Sequence, residues 1–143
     1  MSKKISVAIL GSTGYVGLEL VKILSKHPSV DIVFIGTENS PNISIQKLDS
    51  SIDISNIPNT QLNEDFDYNF ADTVFLALPH SVSNKYVKLF YNKIQIIDLS
   101  ADFRLDDYEI YKENYGANHS CPTLLKDFIY GLPEFNRNEL VDS

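Results

Sequence analysis

The first residues whose type and spacing suit chemistry are Gly11-Ser12-Thr13-Gly14-Tyr15-Val16-Gly17, a GxxGxxG turn that follows an apolar run and opens a segment of helical period. At a strand-to-helix junction such a turn is built to hold a diphosphate. Gly11 permits the tight turn, Gly14 lets backbone N–H groups approach the anion, and Gly17 lets the helix lie close to the strand. The unpaired N–H groups and dipole of the helix start favour negative charge there by ~0.3–1 kcal/mol, and by up to about 2 kcal/mol when partly buried. Ser12 and Thr13 add hydroxyls as prospective donors. A bare tight turn without a ligand is the competing reading, and the missing Gly-Lys-Ser/Thr ending excludes a P-loop.

Further chemistry-bearing residues lie where later strands are expected to end. Gly36-Thr37-Glu38 follows the second apolar run, and an acidic residue about 20 positions beyond the glycines commonly accepts the adenosine ribose hydroxyls; Thr37 and Glu38 are therefore candidates, and Glu38 favours NAD over NADP. Leu78-Pro79-His80-Ser81 offers a stiff wall and an imidazole donor beside the nicotinamide half, with helix capping as the competing role. In Leu99-Ser100-Ala101-Asp102-Phe103-Arg104, Asp102 and Arg104 fall on one side of an extended segment. Arg104 then either pairs with Asp102, the preferred reading, or clamps an anionic substrate. His119 and Cys121 stand two residues apart, which does not make a catalytic dyad, and His27, His80 and His119 have no metal-ligand spacing.

The elements that must position these residues follow from periodicity. Ile5–Leu10, 31–36, 73–78 and 94–99 read as strands covered on both faces. Between the first two, Gly17, Leu20, Val21 and Leu24 form the inward stripe of a helix from Tyr15 to His27, ahead of Pro28. A second helix is expected to run to about Tyr91, capped by Ser81 or Ser83, with Val82, Tyr86, Leu89 and Phe90 inward. The pattern is that of an α/β, Rossmann-type doubly wound, mostly parallel sheet in one domain spanning residues 1–143. Residues 39–68 give weak signals. Residues 106–115 read as a polar helix whose Tyr108, Tyr111 and Tyr115 pack on the sheet, and 129–134 as a short strand or turn.

The bulk of the chain agrees. Its 143 residues, 43% hydrophobic and 22% charged, can bury a core as one globular domain. A net charge of -7 and no basic cluster beyond Lys3-Lys4 argue against a nucleic-acid partner. One cysteine fits a reducing compartment, and the opening apolar run is too short for a signal peptide or a membrane span, so a cytoplasmic protein is expected.

Taken together, GSTGYVGLEL from Gly11, His27-Pro28, VFLALPHSVS from Val74, DLSADFRL from Asp98 and YGLPE from Tyr130 resemble the N-acetyl-γ-glutamyl-phosphate reductases, in the same order. The resemblance covers the chain except about residues 41–68, and the DLSADFR and YGLPE strings are its most specific parts. It implies NADP-linked reduction of a small acyl-phosphate substrate to a semialdehyde in arginine biosynthesis. In that scheme a cysteine thiolate displaces phosphate, hydride reduces the thioester and a histidine shuttles the proton. The resemblance puts the nucleophile beyond Ser143, so the chain reads as the cofactor-binding portion of a longer two-domain reductase. That portion has no catalytic residue of its own and is inactive alone; the full-length protein is expected to be a homo-oligomer. Position by position, Gly11 to Gly17 would hold the pyrophosphate, Pro79 and His80 would approach the nicotinamide ribose, and Ser100 to Arg104 would border the substrate. Glu38 departs from the Ser and Arg contacts that the family makes to the 2′-phosphate. A non-catalytic NAD(P) sensor is the alternative from another functional class.

Overall fold

The computed structural model describes residues 3–116, 118–141 and 143. Strand β1 (Ile5–Leu10) explains its own composition: Val7 and Ile9 pack on one face of the sheet with Val21, while Ala8 and Leu10 pack on the other with Tyr86, Val87 and Phe90. A strand with helices on both faces has no solvated side, so it reads as a continuous apolar run. Val21 belongs to α1 (Tyr15–Leu24) and is fully buried, worth about 1.5–3 kcal/mol. Helix α1 stops three residues before the expected end. From Leu24 the chain tightens into i→i+3 turns, His27 N–H donating to the Leu24 carbonyl, before Pro28.

Strands β2 (Val30–Thr37), β3 (Gln61–Leu62), β4 (Thr73–Leu76) and β5 (Gln95–Asp98) complete an all-parallel sheet of order β3-β2-β1-β4-β5. The chain winds outward from β1 to β3, then returns to the other side of β1 to begin β4. The sheet is thus doubly wound, and its reversal point lies between β1 and β4, where open α/β sheets carry their ligand crevice at the carboxyl ends.

The weakly patterned stretch after β2 is an ordered excursion of short 3₁₀ turns on either side of β3. It buries Ile45 and Ile52 in the cluster below α1, and it sends Phe66 to the opposite face between Phe34 and Phe90, at ring distances of 5.1 and 5.4 Å.

Helix α2 (Ser83–Phe90) buries Tyr86, Val87 and Phe90 as its period requires. Neither serine caps it. Val82 occupies the N-cap with no side-chain bond, Ser81 lies one residue further out at φ +69°, and Val82 and Leu89 are exposed. Helix α3 (Tyr108–Tyr115) opens on Asp107, whose carboxylate accepts from the Glu109 and Ile110 amides, and closes on left-handed Gly116. The strand or turn expected at 129–134 is overturned from Pro133 onward, where α4 (Pro133–Val141) begins, kinked at Asn136. Pro133 at the first helical position needs no amide partner, and Phe135 and Val141 are exposed, so no buried stripe advertised the helix.

Candidate functional site

The glycine turn is fixed by contacts that leave no room for a side chain at two of its glycines. Gly11 has φ +79°, and a Cβ there would lie 2.2 Å from the Ala77 carbonyl oxygen; at Gly17 it would lie 2.0 Å from the Gly11 carbonyl oxygen. These contacts hold β1, the end of β4 and α1 in backbone-to-backbone proximity. Gly14 is different: its Cβ would meet only the Gly11 oxygen at 3.7 Å, and its φ of -77° and ψ of 169° suit any residue.

Hydrogen bonds sort the turn into parts that are used and parts that are free. The Gly11 amide donates to Asn63 Oδ1 at 3.0 Å, the Ser12 amide and hydroxyl both donate to the Gly36 carbonyl at 2.8 and 2.9 Å, and the Gly14 amide donates to the Gly11 carbonyl at 3.3 Å. The Ser12 hydroxyl, fully buried, is therefore committed to the fold and is not the ligand donor that the sequence suggested. Thr13 Oγ1 lies 3.2 Å from Thr37 Oγ1. The amides of Thr13, Tyr15, Val16 and Gly17 have no acceptor among the described residues. They include the first three of α1, the groups that a helix start always leaves unpaired. Tyr15 and Val16 turn their side chains to solvent, so only their backbones face the turn.

Nothing in the sequence singles out Asn63, one asparagine in a stretch rich in Ser, Asn and Asp. Its carboxamide wedges between the turn and Gly36, where a Cβ would come within 2.3 Å of Oδ1. At the end of β2, Thr37 is buried and Glu38 is exposed. Burial raises the phenol pKa of Tyr86, and the charges of Glu64 and Glu38 raise it further.

Across the reversal point, Leu78 is buried with its side chain against Gly11, while Pro79 and His80 are exposed. The expected Asp102–Arg104 pair is not formed. Residues 101–104 make a turn, with the Arg104 amide donating to the Ala101 carbonyl, and a turn sends the two side chains apart. Asp102 is fully buried and accepts from His80 Nδ1 at 2.8 Å and from the Ser81 amide at 2.9 Å. Arg104 donates from Nε to the Ser100 carbonyl at 3.1 Å and from Nη2 to the Leu99 carbonyl at 3.4 Å. Ser100 is buried; its hydroxyl donates to Asp98 and accepts from the Asp102 amide. Burial pushes the Asp98 carboxyl up, against the bonds from Ser100 that lower it.

The tyrosine stripe packs on this cluster rather than on the open sheet. Tyr111 is fully buried, its hydroxyl 3.3 Å from Asp102 Oδ1, and Tyr115 lies against the His80 ring at 5.1 Å; Tyr108 donates to Asn118. Burial, then the Asp102 charge, pushes the Tyr111 phenol up to about 12.

Cys121 and His119 do not form a nucleophile and base. Cys121 is buried with Sγ directed at Asn84, and burial raises its thiol pKa. His119 Nε2 donates to the Asp102 carbonyl at 2.8 Å and Nδ1 accepts from the Cys121 amide at 3.1 Å, so the neutral ring is the form that the fold requires. Burial lowers the His119 pKa below its ordinary 6.5. The unfolded chain binds the extra proton first, so this stabilisation is complete above about pH 6.5 and is lost as pH falls through the folded value. Thermal melting between pH 7 and 5 should therefore show a fall in Tm that is shallower in His119→Gln; parallel slopes would remove His119 as the source. Among the described residues no group of three His, Cys, Asp or Glu could hold a metal, and no helix is long and apolar enough to cross a membrane.

An all-parallel sheet wound both ways from β1, with unpaired amides where β1 hands over to α1, is the architecture of a Rossmann-type NAD(P)-binding domain. A family profile described as "Semialdehyde dehydrogenase, NAD binding domain" matches residues 6–143, and the chain belongs to that family. It is 44% identical over 141 residues to an N-acetyl-γ-glutamyl-phosphate reductase of Ehrlichia chaffeensis, covering 94% of this chain and 39% of that protein. It is also 43% identical over 137 residues to a protein of Pyrococcus horikoshii named as a phosphate reductase for LysW-linked L-2-aminoadipate or L-glutamate, covering 95% and 39%. The chain thus spans about two fifths of the length of these curated relatives. Among solved structures, aspartate semialdehyde dehydrogenase of Candida albicans with NADP superposes with a TM-score of 0.60 at 22% identity, covering 74% of this chain and 32% of that one, and shows the shared fold.

Proposed function

We propose that the chain is the cofactor-binding part, residues 1–143, of a reductase that converts an N-acetylglutamyl acyl phosphate to its semialdehyde, with NADP(H) as coenzyme and NAD(H) as the alternative that Glu38 favours. One observation carries the reading: the amides of Thr13, Tyr15, Val16 and Gly17 have no acceptor among the described residues, in a turn where Gly14 has room for a side chain and Gly11 and Gly17 do not. That is the donor set a diphosphate needs. When bound, the reduced nicotinamide supplies the hydride.

The chain's own residues bind and orient. In this reading the Gly11–Gly17 turn holds the pyrophosphate, with Ser12 bracing it from below. Thr37 and Glu38 meet the adenosine ribose, Leu78 and Pro79 wall the crevice, and His80 faces the nicotinamide half. Arg104, turned out by the 101–104 turn, keeps part of its guanidinium for the substrate's phosphate, whereas Ser100 and Asp102 act from below the surface. In this reading the nucleophile is a cysteine outside this chain, and Cys121, buried with Sγ directed at Asn84, does not take that role.

The test is titration calorimetry with NADH and NADPH side by side, on the wild type and on Glu38→Ala. The variant should bind NADH about tenfold more weakly through the lost ribose bond, and NADPH less so, because the same change removes a charge that repels the 2′-phosphate. Equal losses would remove Glu38 from the ribose site. No binding of either nucleotide to the wild type would refute the function.

A further inference from the structure

We propose that Asp102 is a positioning residue for His80: from beneath the surface it fixes the imidazole as the Nδ1–H tautomer and aims Nε2 at a hydrogen-bond donor on the nicotinamide-riboside half of the dinucleotide. The proposal rests on the cofactor reading above and adds to it a residue that touches no ligand.

Asp102 is fully buried, so it acts only through its neighbours. Its Oδ1 draws together His80 Nδ1 at 2.8 Å, the Ser81 amide at 2.9 Å and the Tyr111 hydroxyl at 3.3 Å. A carboxylate oxygen only accepts, so Nδ1 must carry the proton, and in the neutral ring Nε2 then holds the lone pair. The nearest partner of Nε2 in the chain is the Tyr111 hydroxyl at 3.4 Å, too long to engage it fully.

The rest of the setting restrains the ring while leaving it reachable. Tyr115 and Tyr111 lie against it at 5.1 and 5.9 Å, tilted by 34° and 31°, yet the His80 side chain remains 37% exposed. Ser81 sits at φ +69°, a left-handed conformation that strains a non-glycine residue, and its backbone N–H donates to Asp102 there. Strain kept at the end of β4, directly across from the glycine turn, belongs to a loop whose geometry matters more than its stability. A scaffolding role alone would be served as well by asparagine, whose single oxygen could take the Ser81 amide. Only the carboxylate excludes the reversed hydrogen bond, in which a carboxamide N–H would donate to Nδ1 and move the imidazole proton to Nε2. The structure retains that carboxylate even though its Oδ2 is buried without a partner.

The experiment uses the 143-residue chain, the variants Asp102→Asn and His80→Ala, and three probes: NADH, NADPH and ADP, which lacks the nicotinamide half. Long-range ¹⁵N–¹H spectra of the imidazoles should show His80 as Nδ1–H in the wild type and as a tautomer mixture in Asp102→Asn. Both variants should bind the tighter dinucleotide about tenfold more weakly and ADP unchanged, with no further loss in the double variant. A wild-type His80 protonated at Nε2, unchanged dinucleotide affinity, or an equal loss for ADP would overturn the proposal. If Asp102→Asn fails to fold, the wild-type tautomer and the exposed-site variant His80→Ala still decide it. A wild type that binds ADP and dinucleotide leaves the cofactor reading standing while the variants judge Asp102; a wild type that binds none of the probes brings down both.

Discussion

Gly14→Val is expected to lose dinucleotide binding by more than about a hundredfold while melting close to the wild type. The backbone at Gly14 is extended, with φ of -77° and ψ of 169°, so a β-branched residue fits without strain. Its Cβ would meet a single atom, the Gly11 carbonyl oxygen, at 3.7 Å. In the cofactor reading the valine would intrude at the mouth of the turn, where an anion held by the amides of Thr13, Tyr15, Val16 and Gly17 would sit. The fold loses only the modest preference of an N-cap for glycine over valine, about 1 kcal/mol or less. Calorimetric titration with NADH and NADPH, paired with a thermal melt, separates the two effects. Unchanged affinity in a folded variant would show that the cradle lies elsewhere and would take the glycine-turn assignment with it.

What the sequence disclosed, and what it hid, divides along a physical line. β1, α1, β2 and the strand starting at Thr73 were legible because burial on both faces leaves an unbroken apolar run, and a helix on a sheet leaves a 3.6-residue stripe. The turn was legible because close backbone approach demands glycine. The crevice's other half was not, because its key contacts are polar and distant in sequence: Asn63 reaches Gly11 across 52 residues, and Asp102 reaches back 21 to Ser81. Such pairs leave no period to read. Arg104 shows the converse error, since two charges two apart invite an ion pair only if the backbone is extended, and it turns. Helix α4 leaves no such mark, because none of its residues is buried and Phe135 and Val141 are exposed.

Gly17→Ala should destabilise the fold that Gly14→Val leaves intact, although alanine is the smaller addition. A Cβ at Gly17 would stand 2.0 Å from the Gly11 carbonyl oxygen and 2.8 Å from both the Gly11 carbonyl carbon and Ser12 Cα, all backbone atoms that no rotamer change can move. Relief requires α1 to lift off β1, yet Val21 is fully buried between them and the Ser12 amide and hydroxyl tie the turn to Gly36. Lifting the helix therefore opens the cluster of Val7, Ile9, Ile32 and Ile35 and breaks the turn at once. Overpacking against fixed backbone should cost about 3 kcal/mol, the upper end of such penalties, a fall of roughly 10 °C in Tm for a domain of this size. Whatever fraction remains folded should bind dinucleotide poorly, because the amides of α1 no longer point where the turn needs them. Intrinsic helix propensity pushes the other way, alanine being favoured over glycine by about 1 kcal/mol inside a helix. A Gly17→Ala variant as stable as the wild type would mean that propensity wins and the helix is not pressed against the strand, which the contact at Gly11 denies.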